Sequence, residues 1–101
     1  MKLYLMTQDV VDDWDTYDSV VVSAKDEEDA RTIHPDTGVL WGGDNWYKMY
    51  YDENRNSVLG VYDTKCWVSA IDIDKIHVTY LGKYRKDICY RGVVLASFNA
   101  G

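Results

Sequence analysis

The side chains best suited to chemistry are few. Two cysteines, Cys66 and Cys89, and two histidines, His34 and His77, are the whole Cys/His supply of the 101-residue chain. A Cys/His pair could form an activated nucleophile, but a reactive thiolate needs a local cause such as a helix N-terminus, and neither cysteine opens a predicted helix. Four such ligands could in number build a zinc site, yet no two stand at the close spacing that zinc knuckles use. His34 and Asp36 could form a metal-binding or proton-transfer pair, whereas a histidine at a helix C-terminus, favourable to the helix dipole, is the commoner origin of such a residue. No catalytic residue, cofactor or metal site is expected.

Carboxylates are plentiful between Asp9 and Asp18, where Asp9, Asp12, Asp13, Asp15 and Asp18 surround Trp14 and Tyr17. A calcium loop starting at Asp13 would need Gly at its sixth position and Glu at its twelfth; the chain has Asp18 and Ala24 there, and the motif fails. The stretch reads as a solvated hairpin loop with turn-forming aspartates, or as a binding loop that presents two aromatics amid negative charge. Gly42-Gly43-Asp44-Asn45 is strong turn chemistry. It is not a phosphate loop, because the Lys-Ser/Thr ending and the strand-to-helix setting are both missing.

The elements that must carry these residues are legible in part. Lys2 to Gln8 reads as a first strand, apolar on both faces, hence central in a sheet or covered on both sides. Val20, Val21 and Val22 form a buried strand. Asp26 then caps a helix whose first turn carries Glu27, Glu28 and Asp29, with Asp29 at near capping-box spacing. Pro35 is expected to stop it at His34, and Ala30 with Ile33 is the apolar pair that packs on the sheet.

Trp46 to Tyr51 and Val58 to Tyr62 look like two arms of an aromatic hairpin around the polar turn 52–57. So many rings imply that one face is covered, by the core or by another chain. Residues 63–73 are irregular, and 70–75 fit a strand end or a helical turn equally. Ile76, Val78 and Tyr80 share one face of a clear strand. Lys83-Tyr84-Arg85-Lys86 is a basic cluster in a turn. Val93 to Phe98 is a last strand, apolar on both faces.

Bulk composition bounds the rest. One domain fits 101 residues, and 47% hydrophobic residues with four Trp and nine Tyr describe a chain that folds. No apolar run approaches a membrane span, and Met1-Lys2 leads directly into strand-like sequence, so a cytoplasmic protein with reduced, buried cysteines is expected. The net charge of −6 argues against binding duplex nucleic acid directly and fits a partner with a basic surface.

Three stretches together resemble a family of small uncharacterised phage and prophage proteins. They are Asp15-Thr16-Tyr17-Asp18-Ser19 leading into Val20-Val21-Val22-Ser23-Ala24, the acidic helix closing on Ile33-His34-Pro35, and the C-terminal Arg91-Gly92-Val93-Val94-Leu95-Ala96-Ser97-Phe98-Asn99-Ala100-Gly101. Val78-Thr79-Tyr80-Leu81-Gly82 is similar to the family's penultimate strand. The resemblance covers about half the chain and implies a phage context without an activity. Residues 42–65 have no counterpart in it and look like an inserted hairpin.

The expectation is one α+β domain over residues 1–101, with an antiparallel or mixed sheet of about five strands and one short helix packed on one face. The expected function is that of a non-enzymatic phage accessory protein, which binds and inhibits a host protein as an anti-CRISPR-like or similar counter-defence inhibitor. The contact residues would be Asp12, Asp13, Trp14, Asp15, Tyr17, Trp46, Tyr47, Tyr50 and Tyr51. The alternatives are a nucleotide-sequestering protein that stacks a base on Trp and Tyr, and an enzyme of unknown class. Because strands apolar on both faces leave surface to cover, a homodimer is also expected.

Overall fold

A computed structural model describes residues 1–12, 14–63, 65–83 and 90–99 of the chain. Asp13, Cys89 and most of the basic cluster (84–86) lie outside them, as do Ala100 and Gly101. Among the described residues seven strands fall into two sheets: β1 (Lys2–Thr7), β2 (Thr16–Ala24), β6 (His77–Lys83) and β7 (Gly92–Asn99) make one in the order β6-β1-β2-β7. The other sheet, in the order β3-β4-β5, contains β3 (Leu40–Trp41), β4 (Trp46–Tyr51) and β5 (Ser57–Val61). The expected single sheet of about five strands is therefore corrected to two sheets, all of whose pairings are antiparallel.

β1 is central, as its two apolar faces require. Tyr4 and Met6 face Val22 and Val20 across the β1–β2 ladder, and Ala96 continues the row on β7. Val78 and Tyr80 extend it on β6. This row faces the core, with Met6, Val20 and Val22 essentially inaccessible to water, and runs out to an exposed Tyr80 at the sheet edge. One residue in β2 breaks the alternation. The register slips at Asp18, so Tyr17 turns to the same side as Phe98, and the two rings meet with centroids 4.8 Å apart.

The helix α1 (Glu27–Arg31) covers the core with Ala30, and Ile33 packs beside it. Its start matches the sequence. The Asp26 carboxylate accepts the Asp29 N–H at 2.8 Å, and the Asp29 carboxylate accepts the Lys25 N–H at 2.9 Å. Its end comes earlier than Pro35 requires. Thr32 donates its hydroxyl to the Asp29 carbonyl at 2.7 Å and closes the helix there. His34 thus lies beyond the helix rather than at its C-terminus.

Residues 70–75, ambiguous in sequence, form a 3-10 helix, Ala70–Lys75. Trp67, Val68 and Ile76 on either side of it complete the core. No helix among the described residues is long and apolar enough to cross a membrane.

Candidate functional site

The second sheet is built outward from a buried root. Trp46, at the start of β4, is fully buried and donates its indole N–H to the Val68 carbonyl at 3.0 Å. Trp41 and His34 meet it edge-on, at centroid distances of 5.0 and 4.9 Å. On the other arm Tyr62 donates its hydroxyl to the Asp36 carboxylate at 2.7 Å. Lys48 Nζ lies 5.2 Å from the centre of the Tyr62 ring. Each arm of the hairpin is therefore tied to the main body through an aromatic hydrogen-bond donor.

Electrostatics at this root are those of a sealed joint. Burial, aided by the nearby Lys48 charge and opposed by Asp36, drops the His34 imidazole to about 4. His34 is thus neutral at pH 7, and its Nδ1 accepts the Asp36 N–H at 2.9 Å. The hydrogen bond to Asp36, with burial and the Cys66 thiol behind it, raises the Tyr62 phenol well above its usual range. Burial first, then Asp36 and Cys66, also raises Tyr17. Phenols raised in this way hold their protons at neutral pH. Cys66 is half-buried, and no group of three metal-binding side chains occurs among the described residues.

Beyond the root the hairpin stands in solvent on both faces. Across the ladder Tyr47 lies opposite Val61, Met49 opposite Leu59 and Tyr51 opposite Ser57 on one face; Lys48–Gly60 and Tyr50–Val58 alternate on the other. Met49, Tyr50, Tyr51, Val58, Leu59 and Val61 are all exposed, Tyr51 at 77%. Two of the rings are nevertheless seated. A Cβ at Gly42 would overlap the Tyr47 ring, and one at Gly60 would come within 2.9 Å of the Tyr50 ring. The Tyr47 hydroxyl also donates to Asp44 at 3.0 Å, which raises its phenol. Glycine beneath an aromatic ring leaves room for the ring to lie close across the strand.

The acidic loop is held by a residue that the sequence did not single out. Gln8 is buried; its amide donates to the Val11 carbonyl at 2.7 Å and the Tyr17 carbonyl at 2.9 Å, and its oxygen accepts the Val11 N–H. Only its position at the end of β1, where the alternation points it inward, could have marked it. Asp12, Trp14 and Asp15 are exposed, and Asp15 takes a positive φ of 62°.

Among the expected contact residues, then, Asp12, Trp14, Asp15, Tyr50 and Tyr51 lie at the surface and Tyr47 is half-buried. Tyr17 is half-buried against Phe98 and the core. Trp46 is corrected: a residue with no exposed area, hydrogen-bonded to Val68, is core and cannot touch a partner.

A cleft lies between α1, the 33–41 loop and the start of β7, lined by His34, Trp41, Arg91 and Val93 among others. Its cation is already engaged: Arg91 Nε donates to Asp29 at 2.9 Å and a terminal nitrogen donates to Thr32 at 2.7 Å. A phosphate would have to displace a carboxylate there, which disfavours nucleotide binding in this cleft. Compared with known proteins, the chain matches no family model, no curated protein and no solved structure.

Proposed function

We propose that the chain is a non-enzymatic binding protein that docks its aromatic hairpin, supported by the acidic loop, onto a protein with a basic surface. The observation that carries this reading is the hairpin from Trp46 to Val61. A small domain does not extend Met49, Tyr50, Tyr51, Val58 and Leu59 into water on both faces of a ribbon for its own stability. Tyr and Met are the residue types enriched where proteins meet, and the seated rings reduce the entropy lost on contact. Net charge −6 and the exposed Asp12 and Asp15 add attraction towards a basic face.

The resemblance to small phage proteins points to a bacterial host protein as target, with inhibition in the host cytoplasm as the outcome. The hairpin, inserted relative to that family, is where this chain would carry its own specificity. Immobilised protein is exposed to bacterial lysate beside two variants, Met49→Ala/Tyr51→Ala and Asp12→Asn/Asp15→Asn. One protein captured stoichiometrically by the native chain, lost with the first variant and less salt-sensitive with the second, is the expected result. Capture unchanged by both variants would overturn the reading.

A further inference from the structure

The outer edge of the hairpin has a backbone ready to pair. Tyr62 N–H donates to the Trp46 carbonyl at 2.8 Å, and Asp52 N–H donates to the Asn56 carbonyl at 3.0 Å. With Lys48 opposite Gly60 and Tyr50 opposite Val58, the positions hydrogen-bonded to β4 are Val58 and Gly60 in β5 and Tyr62 just beyond it. The intervening Ser57, Leu59 and Val61 therefore aim their N–H and C=O groups away from β4. β5 is the last strand of its sheet, so among the described residues these groups meet no other strand.

Natural edges are usually guarded by charge, proline or a bulge. The edge β6 carries His77 and Lys83 and a register break beside Gly82, and β7 is broken twice against β2. β5, Ser-Val-Leu-Gly-Val, has no ionisable side chain and no proline, and its ladder with β4 runs without a break. The fourth edge, β3, is guarded by its length of only two residues, which leaves β5 the unguarded edge among the described residues.

We propose that β5 pairs with β5 of a second copy of this chain across a two-fold axis, joining the two three-stranded sheets into one of six. A two-fold axis normal to the sheet makes the pairing antiparallel and self-complementary. The register that overlaps all five residues sets Leu59 against Leu59 of the second copy and Ser57 against Val61 of the second copy. The same register brings Arg55, in the hairpin turn, to the same end of the seam as Asp63 of the second copy, and the pair occurs twice by symmetry. Two acidic chains repel over most of their surface, so a contact between copies belongs where acid is absent and opposite charges flank it. The tyrosine-bearing faces would then lie side by side. This pairing does not depend on the partner proposed above: a monomer would leave that reading intact, and a dimer would not establish it.

Sedimentation equilibrium of the full chain tests the proposal. At about 50 µM the native protein is expected at twice 11.7 kDa. Leu59→Lys puts like charges together at the axis and is expected to sediment as a monomer with unchanged circular dichroism. Arg55→Asp sets acid against acid and is expected to weaken the dimer about three- to tenfold, and Arg55→Asp/Asp63→Arg to restore it. Because restoration requires a folded chain, the double variant separates lost pairing from lost folding. A native monomer at this concentration, or a dimer indifferent to all three variants, would overturn the proposal.

Discussion

Acid should loosen the joint that carries the hairpin, and His34 sets where. The imidazole is neutral in the fold, buried against Trp46 and Tyr62, with Nδ1 accepting the Asp36 N–H. Protonation would turn that acceptor into a donor facing a donor and would place a charge where burial opposes it. The folded value is about 4 against an ordinary 6.5, so the unfolded chain binds more protons between these limits. Stability from this group is complete above pH 6.5, falls as pH drops, and is gone below pH 4. The drop of 2.5 pH units corresponds to about 3 kcal/mol, a large part of a small domain's total.

Urea unfolding followed by tryptophan fluorescence at steps from pH 7.5 to 4 measures it. The native chain should lose about 3 kcal/mol over that interval beyond whatever the carboxylates contribute. His34→Gln, which cannot titrate, should start lower at pH 7.5 but lose correspondingly less on acidification. Asp29, whose carboxyl burial alone would raise, is held below its usual range by the Lys25 amide and Arg91. Its contribution has the same sign but is lost at lower pH, chiefly below the ordinary carboxylate value, so the two windows separate. Parallel pH profiles for the native and His34→Gln chains, or a His34 NMR titration near 6.5, would refute the reasoning.

Other expectations follow from single contacts. Trp46→Phe removes the indole donor to Val68 and leaves a void at the hairpin root, and should cost about 2–3 kcal/mol in urea unfolding. Gly60→Ala crowds the Tyr50 ring at 2.9 Å; because the ring can swing away, the change should cost under about 1 kcal/mol yet displace the Tyr50 NMR resonances and weaken partner capture. Asp26→Ala removes the α1 cap and should cost about 1 kcal/mol, whereas Asp29→Ala should cost more, since Asp29 also holds Arg91.

Sequence reasoning reached what is decided locally. The strand at Val20–Val22, the Asp26 cap and the Ala30–Ile33 face depend on neighbours within one turn or one strand, and each stands in the structure. The helix end did not follow the proline, because the Thr32 hydroxyl competes for the backbone earlier than Pro35 can act. The hairpin arms were legible from alternation and a polar turn, but their detachment into a second sheet was not. That separation rests on Trp46–Val68 and Tyr62–Asp36, contacts 22 and 26 residues apart in the chain. The same long-range packing moved Trp46 from surface to core. The side to which Tyr17 turns was not legible: the bulge at Asp18 reverses its face, and no spacing rule announces a bulge.

Amide hydrogen exchange of the chain, free and bound to the captured partner, decides whether the hairpin is the docking surface. New protection is expected to concentrate in residues 47–61, with weaker protection at the acidic loop 9–15 and none added in the already sheltered β1 and β2. Protection confined to β6, β7 or the cleft beside Arg91, with the hairpin exchanging as before, would contradict it.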